Sequence, residues 1–290
     1  MIWYNIELSC QKEKAFEIEE FLLGYGALSV FFTYQNNNEE FYEVKPGETP
    51  LWDLVKINAI FEKKISSNDV IKILRKSVYS NLFISKFKDK NWVKSYQEDL
   101  KPMQFGKKVW IVPSCKERKS YPGDVIIKMD TGMAFGSGSH ETTALCLEYL
   151  DNFQPINLEV IDYGCGSGIL GIASILLGAN KCTAIDIDLQ ALLSTRENAT
   201  RNNVSDNLIT LKPEQLSDLK VDLIIANIFF NVLIDLKEEF LLYLKSGGTL
   251  ILSGIMKKHL DLLVKDYEKY FQVNNIKSKN DWCLLELIKK

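Results

Sequence analysis

The chain has 290 residues, 46% of them hydrophobic and 25% charged, with a net charge of −3. One hydrophobic core rarely grows beyond about 250 residues, so two domains are expected. No apolar run reaches the ~18 residues of a bilayer span, the N-terminal "MIWYNIELSC" does not read as a signal peptide, and six cysteines without C-x-x-C spacing argue against a disulfide framework or zinc site.

Two histidines exclude a histidine-rich metal centre, and a cytoplasmic setting is expected. Charge is unevenly spread. Residues 1–50 hold nine Glu and no Asp against three Lys and no Arg, a net of −6. Residues 81–120 hold ten Lys or Arg against four acids, a net of +6. Solvated faces explain either segment, and an acidic module for a basic partner is the functional alternative.

In chain order, "IWYNIELS" alternates as a strand, and "KEKAFEIEEFLLGYGA" places Phe16, Phe21 and Leu22 at helical spacing. "LSVFFTY" and "LVKINAIFE" read as strands on either side of a loop with the turn "KPGET". "SNDVIKILRKSVYS" is a helix opened by a Ser or Asn cap, and "LFISKFK" a closing strand. This β-α-β-β-α-β order predicts a ferredoxin-like domain over 1–88. "DKNWVKSYQEDLKP" predicts a connecting helix over 89–102, and a second domain occupies 103–290.

The second domain opens with a short strand pair, "KVWIVPS" and "DVIIKMD". Helix "ETTALCLEYLD", strand "EVIDYG", helix "SGILGIASILLGA", strand "CTAIDID" and helix "LQALLSTRENATRNN" follow. Strands "VDLIIANI" and "TLILSGI" flank a helix "NVLIDLKEEFLLYL", and "FQVNNIKSKNDWCLLELIKK" reads as a hairpin. The alternation predicts an α/β doubly wound parallel sheet with a terminal antiparallel hairpin. That hairpin suits a methyltransferase sheet better than a dehydrogenase sheet.

"VIDYGCGSGILG" carries glycines at 164, 166, 168 and 171. From Gly166 it matches G-x-G-x-x-G, the dinucleotide fingerprint. From Asp162 it matches an acid followed by G-x-G-x-G, the turn expected for S-adenosylmethionine. A diphosphate would be repelled by Asp162, whereas the amino group of a sulfonium donor would be attracted. Asp186, eighteen residues past Gly168, can accept ribose hydroxyls of either cofactor. Asp188 reads as a helix cap.

Two further segments bear on the choice. "MDTGMAFGSGSHETT", residues 129–143, is a glycine- and hydroxyl-rich loop placed where a cofactor lid would sit. "LIIANIFFN" places Asn227 at a strand's carboxyl end, where ligands of such sheets bind.

Together "MDTGMAFGSGSHETT", "VIDYGCGSGILGIA", "AIDID" and "ANI" resemble the bacterial ribosomal protein methyltransferase A family, whose members methylate the eleventh protein of the large ribosomal subunit. The likeness extends to "GALSV", "KPGETPLW", "KNWVKSYQEDLKPMQFGKKVWIVPS" and "DWCLLEL", nearly the whole chain. It implies a class I methyltransferase fold, with S-adenosylmethionine contacted at Thr143, Gly164, Asp186 and Asn227. It also implies that the first domain holds a large-subunit ribosomal protein, free or on the ribosome. The chain departs from the family at Thr131 and Ser137, where Pro and Thr are expected, and at "FFNVL" after "ANI".

In this reading Asp162 and Gly166 complete the donor site. Asn227 orients an attacking lysine or α-amine, and Phe135, Phe229 or Phe230 forms an apolar wall. His140 belongs to the lid and His259 to the surface. A monomer is expected, with weak ribosomal RNA contact through the basic connector. The alternatives are a lysine methyltransferase for another protein, a glutamine methyltransferase, a nicotinamide oxidoreductase and a non-catalytic binding module.

Overall fold

The computed structural model describes residues 2–34, 53–74, 79–88, 101–129, 140–217 and 219–290. The chain forms two compact units, Met1–Glu98 and Asp99–Lys290. The connecting helix expected at 89–102 falls, up to residue 100, outside the described residues, as do residues 130–139 of the lid segment. Among the described residues, no helix is long and apolar enough to cross a membrane.

The first unit runs β1 (Ile2–Gln11), α1 (Lys12–Gly24), β2 (Ser29–Tyr34), β3 (Leu54–Phe61), α2 (Ser67–Ile73) and β4 (Ser80–Lys88). Its sheet has the order β2-β3-β1-β4, with every neighbouring pair antiparallel. Helix α1 buries Ala15, Ile18 and Leu22 in the same core as Ile6, Leu8, Val55 and Ile57. The expected stripe of Phe16, Phe21 and Leu22 is therefore corrected. Residues 15, 18 and 22 share one helix face, and Phe16 and Phe21 flank it at 54% and 49% exposure. Ser66 supplies the cap of α2, in a reciprocal capping box with Asp69.

The second unit opens with β5 (Met103–Phe105), β6 (Val109–Pro113) and β7 (Val125–Met129). The expected strand pair is parallel, and β5 joins it as an antiparallel third strand. The main layers follow: α3 (Glu141–Phe153), β8 (Glu159–Tyr163), α4 (Ile169–Leu176), β9 (Lys181–Ile185), α5 (Leu189–Arg201) and β10 (Leu208–Leu211). Then come β11 (Val221–Asn227), α6 (Phe230–Asp235), α7 (Lys237–Tyr243), β12 (Leu244–Met256), α8 (Lys257–Tyr267), β13 (Phe271–Lys279) and β14 (Trp282–Lys289).

The seven strands take the order β10-β9-β8-β11-β12-β14-β13. The first five are parallel, and β14 runs antiparallel between β12 and β13. Both faces are covered. On β11, Leu223 and Ile225 enter one core with Leu147 and Ile172, while Ile224 and Ala226 enter another with Leu233 and Leu263. Burial on both faces is why these strands read as continuous apolar runs rather than alternations.

Two elements depart from expectation. "LITL" forms β10, an edge strand held by its ladder to β9, which local pattern does not reveal. The single helix expected over "NVLIDLKEEFLLYL" is two, α6 and α7, meeting at Leu236.

Candidate active site

Strand β8 leads into a turn whose glycines 164, 166 and 168 all have positive φ, at 73°, 54° and 77°. A side chain at Gly164 would place its Cβ 2.3 Å from Ile228 Cγ2, and one at Gly168 would stand 2.6 Å from Thr195 Cγ2. Both positions thus combine left-handed backbone with close packing, and only glycine meets both demands. The N–H groups of Gly164 and Cys165 donate to the Ile185 carbonyl at 2.8 and 2.9 Å, tying the turn to the end of β9. The turn lies where the chain passes from β8 towards β9 on one side, while β11 flanks β8 on the other. Such a switch point opens a crevice at the carboxyl ends of the strands.

Asp186, directly after β9, is partly buried, and both of its oxygens face backbone donors. Oδ2 accepts from Gly166 N–H at 2.9 Å and Oδ1 from Asp188 N–H at 3.0 Å. Each carboxylate oxygen has a second lone pair to offer a ligand hydroxyl. Asp188 caps α5 by accepting from Gln190 N–H at 2.9 Å, the role expected of it.

Asp162 is only 1% exposed, and its Oδ2 accepts from Gly171 N–H at 2.8 Å. Burial pushes its carboxyl up to about 7, the Asp186 charge pushes the same way, and the Gly171 bond opposes both. It pins α4 to the sheet from below the turn.

This burial has a measurable consequence. Between pH 4 and 7 the unfolded Asp162, near pKa 3.9, loses its proton before the folded one at about 7, so stability falls as pH rises. Denaturation curves should show wild type losing up to about 4 kcal/mol across that window relative to Asp162→Asn, whose amide still accepts from Gly171. Parallel pH profiles for the two proteins would mean the carboxyl is solvated.

On the other side of β8, Asn227 ends β11, and its Nδ2 donates to Thr143 Oγ1 at 3.3 Å. Thr143 is 2% exposed, in the first turn of α3. Two residues that the family resemblance assigns to the donor site are thereby joined across 84 positions. Among the described residues, Asn227 Oδ1 takes no side-chain or backbone partner. Ser253, paired with Asn227 across the β11–β12 ladder, is fully buried and donates to Thr142 O.

His140 caps α3 through Nδ1 and stacks edgewise on Trp282 at 4.9 Å, a packing role. The adjacent phenylalanines part company. Phe230 is buried and stacks on His259 at 4.5 Å, so it is core and not acceptor wall, and His259 is half-buried rather than surface. Phe229 is 58% exposed at the N-cap of α6. Phe135 lies outside the described residues.

Among the described residues no cluster of His, Cys, Asp and Glu could hold a metal ion. The turn has a carboxylate at each flank, Asp162 below and Asp186 beside it, close enough for one to raise the other's pKa. The residues missed by sequence reading are Thr195, Asn198 and Ser253. They touch the site from behind, and no local pattern marks them.

A family model described as "Ribosomal protein L11 methyltransferase (PrmA)" matches residues 2–290. A ribosomal protein L11 methyltransferase of Shewanella sp. (strain ANA-3) is 39% identical over 290 residues, covering 98% of both chains. That of Glaesserella parasuis serovar 5 (strain SH0165) is 39% identical over 296 residues, covering 100% of both. The crystal structure of ribosomal protein L11 methylase from Lactobacillus delbrueckii subsp. bulgaricus superposes with a TM-score of 0.61 at 32% identity. It covers 65% of this chain and 98% of that one.

Proposed function

The chain belongs to the ribosomal protein L11 methyltransferase (PrmA) family, and from that premise we propose that it methylates amines of ribosomal protein L11. The donor is S-adenosylmethionine, which supplies a methyl group already activated on a sulfonium. The protein's work is then alignment and exclusion of water.

The observation that carries the reading is the Asn227–Thr143 pair at the end of β11, beside the glycine turn. With Nδ2 committed to Thr143, the Asn227 Oδ1 points its lone pairs to an incoming amine N–H. The amine must attack in its neutral form. That costs about 4.6 kcal/mol for a lysine of pKa ~10.4 at pH 7, and about 1 kcal/mol for an α-amine. A neutral acceptor such as Asn227 aligns the amine without stabilising its protonated form, as a carboxylate would. Exposed Phe229 supplies an apolar edge that lowers a lysine's pKa by desolvation and attracts methylated ammonium. Gly164, Gly166 and Asp162 shape the donor's turn, and Asp186 takes its ribose hydroxyls.

In the same reading, residues 1–88 are a ferredoxin-like module that holds the substrate, 89–102 the connecting segment, and 103–290 the methyltransferase domain. Support comes from the β-α-β-β-α-β order and the β2-β3-β1-β4 antiparallel sheet. The excess of Glu in residues 1–50 suits a basic ribosomal protein. The enzyme acts as a cytoplasmic monomer, on the free protein or on the ribosome, with the basic connector near RNA.

Labelled S-adenosylmethionine incubated with purified large-subunit ribosomal proteins tests this by intact mass. Several methyl masses on L11 alone are expected. Donor binding without a shift on L11, or a shift on another protein, overturns the substrate assignment.

A further inference from the structure

The glycine turn is gripped from behind by the element that follows Asp186. Thr195 Oγ1 donates to the Gly166 carbonyl at 3.1 Å, and Asn198 Nδ2 donates to the Ser167 carbonyl at 2.9 Å. With Asp186 Oδ2 on Gly166 N–H, two consecutive residues of the turn are held at three backbone atoms. Thr195 and Asn198 stand three apart on α5, hence on one face, at 0% and 4% exposure. Thr195 Oγ1 also lies 3.4 Å from Cys165 Sγ, and its methyl fills the space against Gly168. Neither side chain is placed to touch a ligand.

We infer that Thr195 and Asn198 are positioning residues of the donor site, which fix the turn in its binding conformation before the donor arrives. The physical need is clear. Fixing one residue's backbone costs about 1–2 kcal/mol, and glycine loses more freedom than any other residue. A turn with three glycines, if free, would charge that cost against donor affinity. The clamp meets it during folding, and keeps two carbonyl oxygens against α5 instead of in the crevice. It also couples the turn to Asp186, because Asp188 starts α5 two residues after that acid.

The inference rests on S-adenosylmethionine as donor, so wild-type binding is measured first. Isothermal titration of the full chain with S-adenosylmethionine is then repeated on Thr195→Val, Thr195→Ser and Asn198→Ala. Amide hydrogen exchange is followed over residues 165–168. Thr195→Val keeps the shape and deletes the hydroxyl, leaving the part-buried Gly166 carbonyl without this partner. We expect about tenfold weaker donor binding, near-normal affinity for Thr195→Ser, and about fivefold weaker binding for Asn198→Ala. Exchange over the turn should quicken in the weakened variants, and donor KM should rise by more than kcat falls.

Wild-type affinity in both Thr195→Val and Asn198→Ala overturns the inference. So does a Thr195→Ser protein as weak as Thr195→Val, which would show that the retained hydroxyl does not hold the turn. Should Thr195→Val fail to fold, Thr195→Ser and Asn198→Ala decide in the same way. A wild-type protein that binds no S-adenosylmethionine would instead sink the donor assignment itself.

Discussion

Replacing Asp186 with alanine is expected to weaken donor binding by roughly a hundredfold or more, the largest affinity effect of any single change in the site. Two contributions add. In the proposed complex the carboxylate accepts from the donor's ribose, and charge-assisted bonds of this kind are each worth about 1.5–3 kcal/mol. In the protein alone, it already binds the N–H groups of Gly166 and Asp188 at 2.9 and 3.0 Å. Its removal therefore loosens both the turn and the start of α5. Asp186→Asn separates the two, since its single oxygen can serve only one side and its amide would face an N–H. Titration calorimetry should place Asp186→Asn between wild type and Asp186→Ala. Binding by Asp186→Ala within threefold of wild type would remove this acid from the site.

Replacing Asn227 with alanine should act on the other limb of the reaction and lower kcat by about two orders of magnitude or more, with a smaller effect on donor Kd. Misplacing a nucleophile by about 1 Å costs on the order of a hundredfold. Alanine leaves Thr143 Oγ1 without its donor and the acceptor amine without its guide. Asn227→Asp is the informative companion. A carboxylate there would hold a lysine in its ammonium form, so activity should fall and the pH optimum move upward. Single-turnover rates on L11 across pH would read both. Near-normal turnover in Asn227→Ala, or an unshifted optimum in Asn227→Asp, would exclude Asn227 from handling the amine.

These variants treat the site as two halves, and the fold explains the division. Asp186 and the turn lie on the β8–β9 side of the switch point, while Asn227 and Thr143 lie on the β11–α3 side. Ile228 joins them. Its side chain occupies the space above Gly164, and its carbonyl stands 2.3 Å from where a Cβ on Gly254 would be. Gly254 has φ +84°, so the residue after Asn227 is enclosed by two left-handed glycines from neighbouring strands. The glycine turn and the end of β11 are thereby held as one packed unit.

Much of this was legible in the amino-acid sequence, wherever the determining physics is local or shared by a whole family. The apolar runs of β8, β9, β11 and β12 announce strands buried on both faces. The glycines after β8 announce left-handed backbone, Asp188 a cap, and the terminal hairpin an antiparallel end to the sheet. Asp186 and Asn227 could be nominated because each sits at a fixed offset from a strand end, and strand ends are where such sheets bind ligands.

The tertiary structure alone decided the rest, because it depends on partners far away in the chain. "LITL" became a strand only through its ladder to β9. Ala15 and Ile18, not Phe16 and Phe21, face the first core, since helical spacing permits several stripes and the sheet selects one. Asp162 went beneath the turn to Gly171, and Phe230 went into the core while its neighbour stayed out. Thr195 and Asn198 look like ordinary helix residues until the turn is packed against them 29 and 31 positions away. Periodicity and turn chemistry act over a few residues. Burial and hydrogen-bond partnership are settled only when distant segments meet.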